Sequence, residues 1–252
     1  MAVLVLMYHR TPQEAGHLLD VTMSLFRAQV QGLQASGVRF ISFSQALDRR
    51  WYTDDTVISI TFDDGHRSNL EAMAFLHDAG VPSTSFFVTD FVRRGQDGFM
   101  DAVTFKKASA LCEIGAHGAT HTDLTSLRPE ALKEELFASK AYLETLSGAQ
   151  VTTMSAPGGR INRRVVSAAL KLGFEVIGDS EPFLNASPRL PLHRVCMLNG
   201  QSPEYVLALV RAGPIYWLRK RLRRMVVSMT AQVLPQESFE ALKRAFKSDP
   251  LQ

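Results

Sequence analysis

The chain has 252 residues but only two cysteines, Cys112 and Cys196, with no Cys-x-x-Cys pair and no spacing for a disulfide framework. A disulfide-stapled scaffold is excluded, and a reducing compartment is expected. Long apolar runs are lacking too. The N-terminal run Val3–Met7 has no basic segment before it and is far too short for a signal peptide or a membrane span, so it reads as a strand and a cytoplasmic location is expected. Net charge is only +3, which gives little reason to expect nucleic acid or another polyanion as partner. No Gly-x-Ser-x-Gly elbow occurs and no Gly-x-Gly-x-x-Gly follows a strand, which speaks against a serine hydrolase and a Rossmann oxidoreductase. Internal repeats and low-complexity stretches are absent as well.

What is present is ordinary globular composition, 46% apolar and 21% charged, in a length suited to one α/β domain. Strand and helix patterns alternate, as in a parallel α/β fold. Strands are predicted at 3–7, 39–43, 57–62, 84–88, 113–116, 151–155, 174–177 and 192–197. Ser24 is expected to cap a helix with Leu25, Phe26, Val30 and Leu33 on one face, which Gly37 stops. A second helix should open at Ser68, carry Leu70, Ala74 and Leu76, and end at Gly80. The longest should run from Pro129 to about Leu146, with Gly148 beyond it. About eight strands with intervening helices suit a distorted barrel.

Chemistry concentrates at two places. Asp63 and Asp64 end the run Val57–Phe62, in which Ile58, Ile60 and Phe62 share a face, so two carboxylates stand at the carboxyl end of a strand. Taken alone, Asp-Asp-Gly also reads as a turn. About fifty residues on, His117 and His121 are four apart, the spacing of one helical turn, which would aim both imidazoles at one point. With a carboxylate they make a His-His-Asp set of the open, catalytic kind.

These residues resemble the polysaccharide deacetylases, the carbohydrate esterase type that shares the NodB homology domain. Thr61-Phe62-Asp63-Asp64-Gly65 is the family's first motif unchanged, and His117-Gly118-Ala119-Thr120-His121 is its His-Ser/Thr-x-x-His with glycine for the hydroxyl residue. Leu6-Met7-Tyr8-His9-Arg10 looks like the start of relatives from exopolysaccharide and lipid-linked glycan pathways, and Phe86-Phe87-Val88 fits the same pattern. The resemblance covers residues 3 to about 197. It implies a distorted (β/α)7-type barrel with extra C-terminal helices: a deacetylase-like barrel over 1–200, and a helical extension over 201–252 packed on the same domain. It implies a metal-dependent hydrolase that removes N-acetyl groups from an amino sugar of a polysaccharide or lipid-linked glycan. Asp64, His117 and His121 would hold a divalent metal, most simply Zn²⁺, and Asp63 would be the general base.

The family's third motif, Phe-Arg-x-Pro-Tyr-Gly, is represented by Met154-Ser155-Ala156-Pro157-Gly158-Gly159. The backbone N–H of Gly158 would serve the oxyanion. Ser155 replaces the arginine that supports the catalytic aspartate in the family, and Arg160, Arg163 or Arg164 would have to substitute. Pro157-Gly158-Gly159 is also readable as a plain turn before a helix near Asn162. For the acid that protonates the leaving amine, His193 on the last strand and His9 at the end of the first are both candidates. If neither acts, Asp63 would return the proton it removed.

Loop formers cluster at 96–99 and 181–191 and read as connections, because no group of exposed aromatics announces a sugar platform; Trp51 and Tyr52 read as packing residues. Over 214–231, Ile215, Leu218, Leu222, Met225 and Met229 recur at helical spacing beside Arg219, Lys220, Arg221, Arg223 and Arg224. Such a basic amphipathic helix either docks on an anionic membrane surface or packs on the barrel by its apolar stripe. Two other functions are open: a different amide hydrolase on the same scaffold, such as a deformylase, and a non-catalytic carbohydrate-binding relative.

Overall fold

A computed structural model describes residues 2–52, 55–213 and 215–222. Strands β1 (Val3–Tyr8), β2 (Arg39–Phe40), β3 (Val57–Phe62), β4 (Ser83–Phe87), β5 (Glu113–Ala116), β6 (Thr153–Ser155), β7 (Val176–Gly178) and β8 (Arg194–Cys196) pair in parallel. The path runs β7-β6-β5-β4-β3-β1-β8, with β2 paired to the start of β3. A parallel bridge between Gly178 and Leu192 joins the two ends, so seven strands form a nearly closed ring. This is a distorted (β/α)7-type barrel. It is distorted because β7 and β8 are joined by an irregular segment, not by a helix.

The period-2 alternation of the strands builds two separate cores. Outward-facing Leu4, Leu6, Tyr8, Ile58, Ile60 and Phe62 pack under the helices. Inward-facing Val3, Val5, Val57, Phe86, Val176 and Leu192 fill the lower barrel together with Phe43. Phe86 leaves no room opposite: a Cβ on Gly115 would lie 2.4 Å from its ring. Continuing the inward parity up the strands brings His9, Asp63, His117, Ser155, Arg194 and Cys196 to the mouth at the carboxyl ends.

Around the ring, among the described residues, lie α1 (Met23–Ala35), α2 (Asn69–Asp78), α3 (Thr89–Arg94), α4 (Ala102–Ser109), α5 (Pro129–Ser147), α6 (Arg163–Lys171) and α7 (Pro203–Arg211). The cap of α1 is Thr22 and not Ser24: the Thr22 hydroxyl accepts from the Leu25 N–H, and Ser24 only contacts that hydroxyl. On α2 the buried face is Asn69, Ala72, Met73 and Leu76, so Leu70 and Ala74 lie at its margin. Asn162 caps α6, accepting from the Val165 N–H. Helix α7 buries Tyr205, Val206 and Leu209 in the outer core, and Gln29 of α1 donates to the Gln201 carbonyl at 2.6 Å beside it.

A last helical segment, 215–222, buries Trp217, whose indole N–H donates to the Ala212 carbonyl. Ile215, Leu218 and Leu222 are exposed, so the stripe expected to pack on the barrel faces outward in the described residues. Met225, Met229, Arg223 and Arg224 lie outside the described residues. No described helix is long and apolar enough to cross a membrane.

Candidate active site

Asp63 and Asp64 differ in backbone before they differ in chemistry. Asp63 continues the inward face of β3 and is almost fully buried, while Asp64 takes a left-handed φ of 67° and turns its carboxylate to the mouth. The next residue must be glycine: at Gly65, φ is 72° and a Cβ would lie 2.5 Å from Phe87.

His117 and His121 meet Asp64 by a route other than a helix. Strand β5 ends at Ala116, and the pair sits in a loop bent by Gly118 (φ 75°) and by His121 itself (φ 66°). Glu135 of α5 ties this loop down, its Oε1 accepting from the Thr120 N–H at 2.7 Å and from the Thr120 hydroxyl. A Cβ on Gly118 would meet that same oxygen at 2.9 Å, so glycine replaces the family's hydroxyl residue where Glu135 comes closest.

The Nε2 atoms of His117 and His121 each lie 3.3 Å from Asp64 Oδ1. That oxygen is buried without a hydrogen-bond partner, and the three ligand atoms all lie within 4.8 Å of one another. An orphaned carboxylate oxygen facing two imidazole nitrogens fits a divalent cation. The His117 Nδ1 lies 2.5 Å from the Ser155 hydroxyl and 3.1 Å from the Ser155 carbonyl. A carbonyl only accepts, so Nδ1 carries the proton and Nε2 keeps its lone pair for the mouth.

Burial pushes the Asp64 carboxyl up, but the two imidazoles outweigh it and hold the group well below the usual carboxylate range. His121 moves the other way. Its contact with Asp64 raises its pKa against the opposing effect of burial.

The partner of Asp63 is Arg194. Its Nη1 and Nη2 donate to the two carboxylate oxygens at 2.6 and 2.9 Å, and Nε donates to the Asp179 carbonyl at 2.8 Å. The guanidinium is completely buried and lies 5.2 Å from the centroid of Phe86. Space for it comes from Gly178, where a Cβ would sit 2.9 Å from Nε. Burial raises the Asp63 pKa, yet Arg194 and then His117 lower it further, and the net shift is downward.

The arginines expected to support Asp63 are engaged elsewhere or turned away. Arg160 pairs with Asp123 at 2.9 Å, Arg164 donates to the Thr125 carbonyl, and Arg163 lines a groove along α6. The signal for Arg194 was in the sequence, two residues past Leu192 on the inward face of the last strand.

His193 and His9 are placed differently. His193 lies on the opposite side of its strand from Arg194; its Nδ1 is 3.0 Å from Asp179, its ring meets Phe183 edge-on, and it shares a pocket with Trp217, Leu218 and Arg221. No contact recorded among the described residues joins it to the Asp64 trio. His9 is half-buried at the mouth, its Nδ1 3.8 Å from Cys196 Sγ. Burial lowers its pKa, and the charges of Asp63, Asp64, Arg194 and His117 all act on it. Gly158 occupies the tight turn Pro157–Gly159 with φ 62°, and a Cβ there would meet nothing within 4 Å. Gly159 fixes that turn against Ser180, which a Cβ would overlap at 2.3 Å. Loop 96–99 also does more than connect: Phe99 packs 4.4 Å from Phe91 and 5.5 Å from His66, and Phe91 lies 6.1 Å from His121.

The comparisons agree with this site. The family profile Polysaccharide deacetylase matches residues 51–177. The chain belongs to the polysaccharide deacetylase family. Its members are hydrolases of non-peptide carbon–nitrogen bonds. YxkH from Bacillus subtilis (strain 168), a protein named for the polysaccharide deacetylases, is 26% identical over 208 residues, 79% of this chain and 72% of YxkH. Among solved structures, the polysaccharide deacetylase BC0361 from Bacillus cereus is 25% identical with a TM-score of 0.71, over 83% of this chain and 69% of that one. Two more distant relatives share the fold. Streptococcus pyogenes deacetylase PplD in complex with acetate has a TM-score of 0.74 at 21% identity, over 84% and 99% of the two chains. IcaB from Ammonifex degensii has a TM-score of 0.74 at 22% identity, over 84% and 97%.

Proposed function

We propose that this deacetylase is metal-dependent and removes acetyl groups from N-acetylated amino sugars in a polysaccharide or a lipid-linked glycan. The observation that carries the reading is the convergence of His117 Nε2, His121 Nε2 and an unpartnered Asp64 oxygen beside an Arg194-clamped Asp63. Two imidazoles and one carboxylate suit Zn²⁺ and leave coordination positions open. A divalent ion held there would make a water molecule more acidic and polarise the acetamide carbonyl.

This chain's own residues supply the rest. Asp63, kept ionised by Arg194, takes the proton of the attacking water as its oxygen bonds to the carbonyl carbon. The N–H of Gly158 donates to the carbonyl oxygen as charge develops on it. His9 passes a proton to the amine nitrogen as the carbon–nitrogen bond breaks, giving acetate and a free amino sugar. His9 is favoured over His193 because inward parity places it at the mouth beside Cys196, whereas His193 is held by Asp179 in a side pocket. That PplD binds acetate, the product of such a reaction, supports the choice of acyl group.

A second observation bears on where substrate is met. Exposed Ile215, Leu218 and Leu222 beside Arg219, Lys220 and Arg221 favour contact with an anionic membrane surface, which would suit a lipid-linked glycan. The enzymatic reading is tested by measuring acetate release from N-acetylated oligosaccharides before and after chelation. Release that is lost with the metal and restored on adding Zn²⁺ is expected; release indifferent to chelation contradicts it.

A further inference from the structure

A groove of about 1070 Å³ lies between α6 and the segment that joins β7 to β8, and Gly158 and Asp179 are among the residues that line it. It is larger than one sugar ring requires. It stays open partly because Gly158 has no side chain, and a Cβ there would meet nothing within 4 Å.

One wall is a single stripe of α6: Arg163, Val166, Ser167, Leu170 and Lys171, at the i, i+3, i+4, i+7, i+8 spacing of one helix face. The opposite stripe, Val165 and Ala169, is buried against the barrel. The wall therefore has a cation at each end and aliphatic carbon between them. Eight residues separate the cations, which is about 12 Å along a helix. Neither Arg163 nor Lys171 makes an ion pair with any described residue, whereas Arg160 at the rim is paired with Asp123. Ile161, Leu190 and Pro191 complete an aliphatic lining with no aromatic ring in it. The far wall carries Glu181, and Asp179 is held by His193.

We infer that this groove is a subsite for an acidic glycan chain, whose carboxylates meet Arg163 and Lys171 while the C–H faces of its rings lie on Val166 and Leu170. Two cations about 12 Å apart along one wall match charges that recur along a chain rather than a single anionic group. The inference rests on the deacetylase reading and adds the charge of the polymer to it. Leu170 is 47% exposed although apolar, as a surface covered only when substrate is bound would be.

The test uses the full chain and the double variant Arg163→Glu/Lys171→Glu, in which both exchanged side chains are exposed and outside the reacting centre. Two hexasaccharide probes are compared: one alternating glucuronic acid with N-acetylglucosamine, and one of N-acetylglucosamine alone. Calorimetric binding and deacetylation are both read, at low and high salt. The native protein should bind the acidic probe roughly 3- to 10-fold more tightly, a preference that fades with salt, and the double variant should lose it through KM while its kcat on the neutral probe is unchanged. Leu170→Trp, which narrows the groove, should weaken binding of both hexasaccharides but not of a disaccharide. Equal binding of the two probes, or equal loss for both in the double variant, overturns the inference. If neither probe is deacetylated but the acidic one still binds through Arg163 and Lys171, the groove stands and the deacetylase reading fails.

Discussion

Arg194 grips both carboxylate oxygens of Asp63 inside the barrel, at 2.6 and 2.9 Å, from β8, two strands around the ring from β6. The position on β6 that would hold the family's arginine is Ser155, and Ser155 fixes the His117 ring instead. The cation beside Asp63 comes from β8, and the His117 ring has two contacts with Ser155, its hydroxyl and its carbonyl.

Removing the arginine should therefore cost both fold and activity. Arg194→Ala leaves Asp63 as an unpaired buried charge, and a loss of about 3–5 kcal/mol in unfolding free energy is expected by denaturant titration. Arg194→Lys keeps the charge but not the two-pronged geometry. It should remain folded, bind metal, and lose most of its acetate release. Native-level activity in Arg194→Lys would show that orientation of Asp63 is unimportant.

Ser155→Ala should act on metal rather than on the base. Loss of one of two partners of His117 Nδ1 is expected to lower metal affinity about 10- to 100-fold, measured by competition with a chromogenic chelator. The Ser155 carbonyl remains, so loss of folding is not expected.

The pH dependence follows from opposite shifts in one contact. In the metal-free protein the raised pKa of His121 gives a stabilising contribution that is complete below the ordinary histidine range and is lost as pH rises through the folded value. The depressed Asp64 contributes above the ordinary carboxylate range and loses its effect as pH falls through its folded value. Metal-free protein should thus become less stable to heat as pH climbs past neutrality. Metal must displace the His121 proton, so its affinity should fall as pH drops, with proton release seen by calorimetry in buffers of different ionisation enthalpy. Binding at pH 6 without proton release would contradict the assigned ligand.

The two histidines offered as acids separate by mutation. His9→Asn is expected to lower kcat about 10²- to 10⁴-fold with metal content unchanged. His193→Asn should cost far less and act through stability, since its ring holds Asp179 next to the Arg194 Nε contact. The reverse ranking would return the acid to His193.

Membrane contact has its own assay. Leu218→Ser together with Leu222→Ser should abolish sedimentation with vesicles rich in anionic lipid and leave deacetylation of soluble oligosaccharides intact. Identical sedimentation of native and variant protein would remove the membrane from the account.

Strands β3 and β5 were legible to the residue, because alternation bounded by Asp63 and by His117 fixes both ends. The convergence of Asp64, His117 and His121 was legible too, although through a loop rather than the helical turn that the spacing resembles. Helices α3 and α4 were not anticipated, being short with few apolar positions, whereas α7 lies in the helical extension expected over 201–252, where no separate bounds were drawn. Arg194 was hidden for another reason. A charged residue in a strand reads as exposed, and only the closed ring, with Gly178 clearing space and Phe86 beneath, shows that it points inward.

The central claim is that Asp64 belongs to the metal and Asp63 to the water. Asp63→Asn tests it most directly, with metal content and acetate release measured on the same preparation. The account predicts full metal occupancy with acetate release reduced to background. Metal lost with the substitution, or acetate released at the native rate, would contradict it.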